Sequence, residues 1–110
     1  MKKLYLYKYD MTLGRFEDIE LEISKETEKT YQIQNYPFIR RLQKDQVGCL
    51  SRHFSEISIV FEEPSKEKAI QLFAGCIMEQ QHGLQEEIQR LEKNLKLLLK
   101  EGENHDKNDA

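Results

Sequence analysis

The chain has 110 residues, which suits one domain with a single small core. Apolar residues make up 38% and charged residues 34%, a balance that fits a partly disordered chain or a small core with a solvated helix attached. Regular apolar spacing favours the second, and a net charge of −3 excludes a whole-protein basic field for non-specific nucleic-acid binding.

The apolar run that follows Lys2 and Lys3 is too short for a signal-peptide core or a membrane span, so a soluble, cytoplasmic protein with no membrane partner is expected. From Leu4 to Tyr9 the chain is aromatic or apolar on both parities, which predicts a strand covered on both faces. Asp10 to Gly14 is a turn signal in which Gly14 is free to take a positive φ. Ile19, Leu21 and Ile23 then alternate with Asp18, Glu20 and Glu22, so one face is buried and the other acidic. A β-hairpin over residues 3–24 follows.

After a polar break at 25–29, Tyr31 and Ile33 alternate with Thr30, Gln32 and Gln34 in a third strand that Pro37 ends. A short fourth strand is expected at 38–42. Residues 44–53 fit a loop or a short helix broken by Gly48. Ile57, Ile59 and Phe61 share one face of a last strand over 56–61.

Pro64 and Ser65 open a helix, with Ser65 as N-cap or Pro64 as first helical residue. Gly102 should stop it after Lys100. An unbroken helix over 65–101 is about 55 Å long, against a radius of gyration near 13 Å for so small a domain. Its far end must therefore protrude, fold back or find a partner. Leu84, Ile88, Leu91, Leu95 and Leu98 follow one another at steps of four and three, a heptad seam. Burying those five side chains is worth roughly 7–15 kcal/mol gross per helix, part of which ordering the helix consumes. Glu86 with Arg90, and Glu92 with Lys96, are supporting pairs at spacing four. Self-association, most simply as a two-fold dimer, is preferred to packing on the chain's own sheet. Leu97 and Leu99 widen the stripe, which suits more than two helices or a helix partly lying on a sheet. Residues 80–83 are the weak point: Gln80 and Gln81 interrupt the apolar pattern like a stutter, and Gly83 costs about 1 kcal/mol against Ala. One continuous or kinked helix is preferred to a helical hairpin there. The tail 102–110 is polar and expected to be disordered.

The fold class expected is therefore α+β: an antiparallel sheet of four or five strands over 1–63, a long amphipathic helix over 64–101, and the tail, forming one domain overall.

Cys49 and Cys76 are too few for a disulfide framework, and Cys76 lies among Ile70, Phe73 and Ile77 as a small hydrophobe would. Cys49 and His53 lack a second pair to complete a zinc site and a third group to build a nucleophile. There is no glycine-rich phosphate loop. No cofactor, metal or enzymatic activity is expected. Charge is unevenly spread. Residues 16–28 hold six acids against Lys25, and Asp18, Glu20 and Glu22 recur at about 7 Å, a spacing near that of DNA phosphates. Residues 40–54 hold Arg40, Arg41, Lys44 and Arg52 against Asp45. Both stretches are candidate partner surfaces, and solvated faces are the plainer explanation. Tyr5, Tyr7 and Tyr9 with Lys2, Lys3 and Lys8 could stack bases on an open sheet, but cover by the helix and the neighbouring acidic row argue against it.

Three stretches carry a family likeness. They are Leu4 to Tyr9, Lys25-Glu26-Thr27-Glu28-Lys29-Thr30-Tyr31, and Ser65-Lys66-Glu67-Lys68-Ala69-Ile70 opening a helix rich in Glu, Lys and Leu. The layout resembles small accessory proteins of phages and prophages of Gram-positive bacteria. That resemblance implies a phage-encoded inhibitor of a host protein, such as an anti-CRISPR acting on a CRISPR nuclease, and carries no functional residue over. The expected function is a non-enzymatic oligomeric binding protein that occludes a macromolecule in the host cytoplasm. The alternative is a nucleic-acid-binding regulator using the basic stretch at 40–52.

Overall fold

Leu4 and Leu6 are buried on one side of the first strand and Tyr7 on the other, and the strand lies inside the sheet. That is why its sequence is apolar on both parities. The computed structural model describes the backbone of residues 2–109 and the side chains of residues 2–103. It is α+β: β1 (Lys3–Asp10), β2 (Arg15–Glu26), β3 (Thr30–Ile33), β4 (Arg41–Gln43), β5 (Ser51–His53) and β6 (Glu56–Phe61) precede one long helix, α1 (Lys66–Asp109). The strands form one sheet in the order β4-β3-β2-β1-β6-β5, with every neighbouring pair antiparallel.

The β1–β2 turn is fixed by Asp10, whose Oδ1 accepts hydrogen bonds from the backbone N–H of Thr12 (2.8 Å) and Leu13 (3.1 Å), while Gly14 takes φ 66°. β2 is long enough to serve two partners. Its first part pairs with β1, the register shifts between Ile23 and Lys25, and Ile23 to Glu26 pair with β3. The bulge bends the strand, as bulges do. Leu4, Leu6, Leu21, Ile23, Tyr31, Ile33 and Val60 form a core cluster, with Ile19, Tyr36, Ile39, Leu42 and Val47 packed against it. The segment between β3 and β6 thus supplies apolar cover for this face, and Gly48 N–H donates to the Val60 carbonyl at 2.8 Å.

The other face carries Tyr7, whose ring centre lies 6.2 Å from Phe16 and 6.0 Å from Phe61. Phe73 of α1 meets Phe16 at 6.2 Å, and Ala69 and Phe73 are buried. Tyr7 Oη accepts the backbone N–H of Ser65 at 2.9 Å, which fixes the entry to the helix. Tyr7→Phe leaves that half-buried donor unpaired and should cost about 1–3 kcal/mol in chemical denaturation.

Several expectations need correction. The sheet has six strands, not four or five. The missed one, β5, is an edge strand of three exposed residues, so it has no apolar alternation to show. Residues 44–50 contain a short 3₁₀ turn (Lys44–Gln46). The fourth strand begins at Arg41 rather than 38, because Ile39 turns inward onto the core and the Arg40 carbonyl accepts the Ile33 N–H at 2.9 Å. Helix α1 begins at Lys66, so Pro64 is not its first residue. Ser65 stands at the expected cap position, its carbonyl accepting the Ala69 N–H at 3.0 Å, while its hydroxyl donates to the Glu63 carbonyl at 3.2 Å.

Helix α1 is uninterrupted through Gly83, as preferred over a hairpin, and it continues past the expected stop at Gly102 to Asp109. A glycine stop needs the left-handed conformation, and Gly102 is not among the glycines with positive φ. The expected tail 102–110 is therefore helical as far as Asp109, and Ala110 lies outside the described residues. The chain divides into two compact units at a point inside this helix, Met1–Ala74 and Gly75–Ala110. The first two turns of the helix belong to the sheet unit because Ala69 and Phe73 are part of its core.

Candidate functional site

Two features are candidates, one in each unit. In the second unit the helix carries two rows of seam residues at sevenfold spacing. Ile77, Leu84, Leu91 and Leu98 form one row, and Gln81, Ile88 and Leu95 form the other. The rows keep step across Gly83, so the expected stutter at 80–83 is absent. Gln81 is simply a polar residue at a seam position. Leu84 is 52% exposed, Ile88 54%, Leu91 and Leu95 57%, and Leu98 70%. A helix is expected to bury an apolar stripe of this width, and each of these five side chains is open. Met78, Leu97 and Leu99 are exposed beside them. Glu86 Oε1 lies 3.1 Å from His82 Nε2, four residues before it, rather than against Arg90.

In the sheet unit the expected charged surfaces separate into paired and unpaired groups. Glu20 binds Lys3 at 3.0 Å. Glu22 is half-buried and accepts from Gln34 Nε2 at 3.0 Å. The Glu22 backbone N–H donates to Asn35 Oδ1, and Asn35 Nδ2 donates to the Glu20 carbonyl, both at 2.8 Å. Asn35 thus extends the sheet's hydrogen bonding from a side chain, a role with no signature in the sequence. Asp18 is exposed with no ion-pair partner among the described residues.

Lys44 is not a free cation. Its Nζ lies 3.0 Å from Glu26 Oε2 and 5.1 Å from the centre of the Tyr31 ring. Lys2 joins the same cluster, 3.3 Å from Glu26 Oε1 and 3.2 Å from Tyr31 Oη. The hydrogen bond from Lys44, then that from Lys2, holds the Glu26 carboxyl below its ordinary pKa. The hydrogen bond with Tyr31, then that with Glu26, raises Lys2. A carboxylate depressed in the folded state stabilises the fold above its unfolded pKa, and that contribution is lost as pH falls through the folded value. Glu26→Gln should therefore flatten the decline in thermal midpoint between neutral pH and pH below about 4. The effect should be small, because the group is exposed and solvent screens it.

Arg41 lies on edge strand β4 and Arg52 on the opposite edge strand β5, so the expected basic stretch does not occupy one strand or one edge. Arg40 and Arg41 do come together: they line an open cleft of about 630 Å³ with Ser24, Gln32, Gln34, Asn35 and Tyr36. No carboxylate lines that cleft, and neither arginine has an ion-pair partner among the described residues. Tyr7 is 4% exposed, so the tyrosine row is not an open stacking surface.

Cys49 is exposed, with Sγ against the Asp45 carbonyl at 3.5 Å, and the His53 ring lies 4.6 Å from Phe54. Among the described residues there is no group of three or more His, Cys, Asp or Glu side chains placed to hold a metal ion. No helix among them is long and apolar enough to cross a membrane. One further feature has no periodicity to announce it. Leu13 (69% exposed) and Phe54 (86% exposed) sit in turns joined by the Met11 N–H to Ser55 carbonyl hydrogen bond. Among the described residues Phe54 is the non-glycine residue with a positive φ, 56°. Comparison with protein-family models, with characterised proteins and with solved structures finds no match.

Proposed function

We propose that the protein is a non-enzymatic binding protein that works as an assembly of two or more copies, joined through the seam of α1, with the sheet unit engaging a partner macromolecule. The observation that carries this reading is the run of five seam side chains from Leu84 to Leu98, each more than half exposed on a continuous helix. Leaving such a stripe in water forfeits about 1.5–3 kcal/mol per side chain, and a second helix recovers it. The general resemblance to phage accessory proteins makes a host protein, with a CRISPR nuclease or other defence factor as the first to test, the favoured partner. Asp18, Arg40 and Arg41, which have no ion-pair partner among the described residues, are the charges of the two candidate surfaces that we assign to meeting it.

A second reading, a nucleic-acid-binding regulator, draws on the Arg40 and Arg41 cleft with its acid-free lining. Fluorescence anisotropy with labelled single- and double-stranded DNA and RNA at low salt separates the two, because phosphate contacts are strongest there. The first reading expects no binding. Binding that weakens steeply with salt, and weakens further in Arg40→Ala/Arg41→Ala, would transfer the function to the second.

A further inference from the structure

We infer that two copies of α1 pair antiparallel in one defined register, with Leu84 against Leu95 of the second copy, Ile88 against its Leu91, and Gln81 against its Leu98. This deepens the self-association reading and rests on it. The residues that flank the seam select this arrangement. Within the heptads defined by the two rows, the flanking positions on one side are Met78, Gln85, Glu92 and Leu99, and on the other Gln80, Glu87, Asn94 and Glu101. Such positions meet across a helix pair and set its orientation.

In a parallel pair each residue of the second set meets the residue five places on in the first set of the other copy. Glu87 then faces Glu92 twice, once on each side, and Leu99 faces Asn94. The compensation is one Gln81 to Gln81 hydrogen bond and one contact of Ile77 with its copy, which the antiparallel register replaces by Gly102. Reversing one helix instead brings each set against itself. In the register stated, Glu92 meets Gln85, Glu87 meets Asn94 and Glu101 meets Gln80, so no like charges are opposed. Met78 meets Leu99 on both ends, which covers side chains that are 65% and 61% exposed in the single chain. Sliding by one heptad either way restores repulsion: one slide sets Glu87 against Glu87, and the other sets Glu92 against Glu92 and Glu87 against Glu101. Avoiding two repulsions and covering two Met78–Leu99 pairs outweighs one hydrogen bond between glutamines and one contact of Ile77, a side chain already half-buried in the single chain, since like-charge pairs and apolar side-chain pairs are of similar individual size. The antiparallel register is the arrangement of these four in which the flanking residues all agree with the seam.

The test uses the full chain with Cys49→Ser and Cys76→Ala. Leu84→Cys and Leu95→Cys forms are mixed in equal amounts while reduced and then oxidised, and disulfide-linked species are separated by mass. In the inferred register, positions 84 and 95 are opposed. Position 84 is offset from its own copy by 11 residues, about 16 Å along the axis, which is beyond the Cα separation of about 7 Å that a disulfide spans. The mixed disulfide should exceed either homodisulfide by about tenfold or more. Homodisulfides at 84 and at 95 would show a parallel pair and overturn the inference. A dimeric mass with no disulfide would show another register and overturn it as well. A monomeric mass for the uncross-linked chain would instead remove the self-association reading itself. A second variant is independent of cysteine chemistry. Glu87→Lys should leave the dissociation constant within about threefold, whereas in a parallel pair it would relieve two Glu87 to Glu92 contacts and tighten association by about tenfold.

Discussion

Leu91→Asp/Leu95→Asp should convert the protein to a monomer of 13.1 kDa without unfolding its sheet. Both leucines are 57% exposed in the single chain, so their replacement removes nothing from the core of the first unit. In the assembly the double change deletes four seam leucines from two helices and sets charges in their place. Even partial burial makes each leucine worth more than about 1 kcal/mol, so the loss exceeds about 4 kcal/mol. That is roughly a thousandfold in dissociation constant. Sedimentation velocity reads the mass, and circular dichroism reads the helix content. Helicity should fall too, because an isolated helix in water is marginal without a packed face. An unchanged mass would mean that the seam is not the contact.

Phe73→Ala should do the reverse, lowering the stability of the fold with little direct effect on the seam. Phe73 is 3% exposed and lies against Phe16 at 6.2 Å, and it shares the helix's buried face with Ala69, which is fully buried. Truncating a buried Phe costs about 3–5 kcal/mol. A small domain has only about 5–15 kcal/mol in total, so a large part of its margin is lost, as read by urea denaturation at a concentration too low for association. Leu98→Ala is the matched control. Leu98 is 70% exposed, so the same measurement should change by less than about 0.5 kcal/mol. Equal effects of the two substitutions would contradict the division of α1 into an anchored first part and an open remainder.

The parts of the fold legible in the sequence are those where burial is one-sided and periodic. Ile19, Leu21 and Ile23 announce β2, Tyr31 and Ile33 announce β3, and Ile57, Ile59 and Phe61 announce β6. β5 is illegible because Ser51, Arg52 and His53 bury nothing, so only backbone pairing defines the strand. The start of β4 is misplaced because Ile39 is apolar for packing on the core rather than for lying in a strand. Charge is the least legible property. Lys44 looks like a free cation in the sequence, yet Glu26, 18 positions away in the chain, neutralises it. Arg41 and Arg52 are near in sequence, and the topology sends them to opposite edges. The seam is legible because its periodicity is local to one helix. Its continuity across 80–83 is hidden because Gln81 reads as a break, whereas it is a seam position occupied by a polar residue.

The measurement that tests the central claim most directly is sedimentation equilibrium of the intact chain across a wide range of concentrations. A reversible shift from the 13.1 kDa monomer to twice that mass is expected as concentration rises. A mass that stays at the monomer value into the high micromolar range would contradict self-association through the seam.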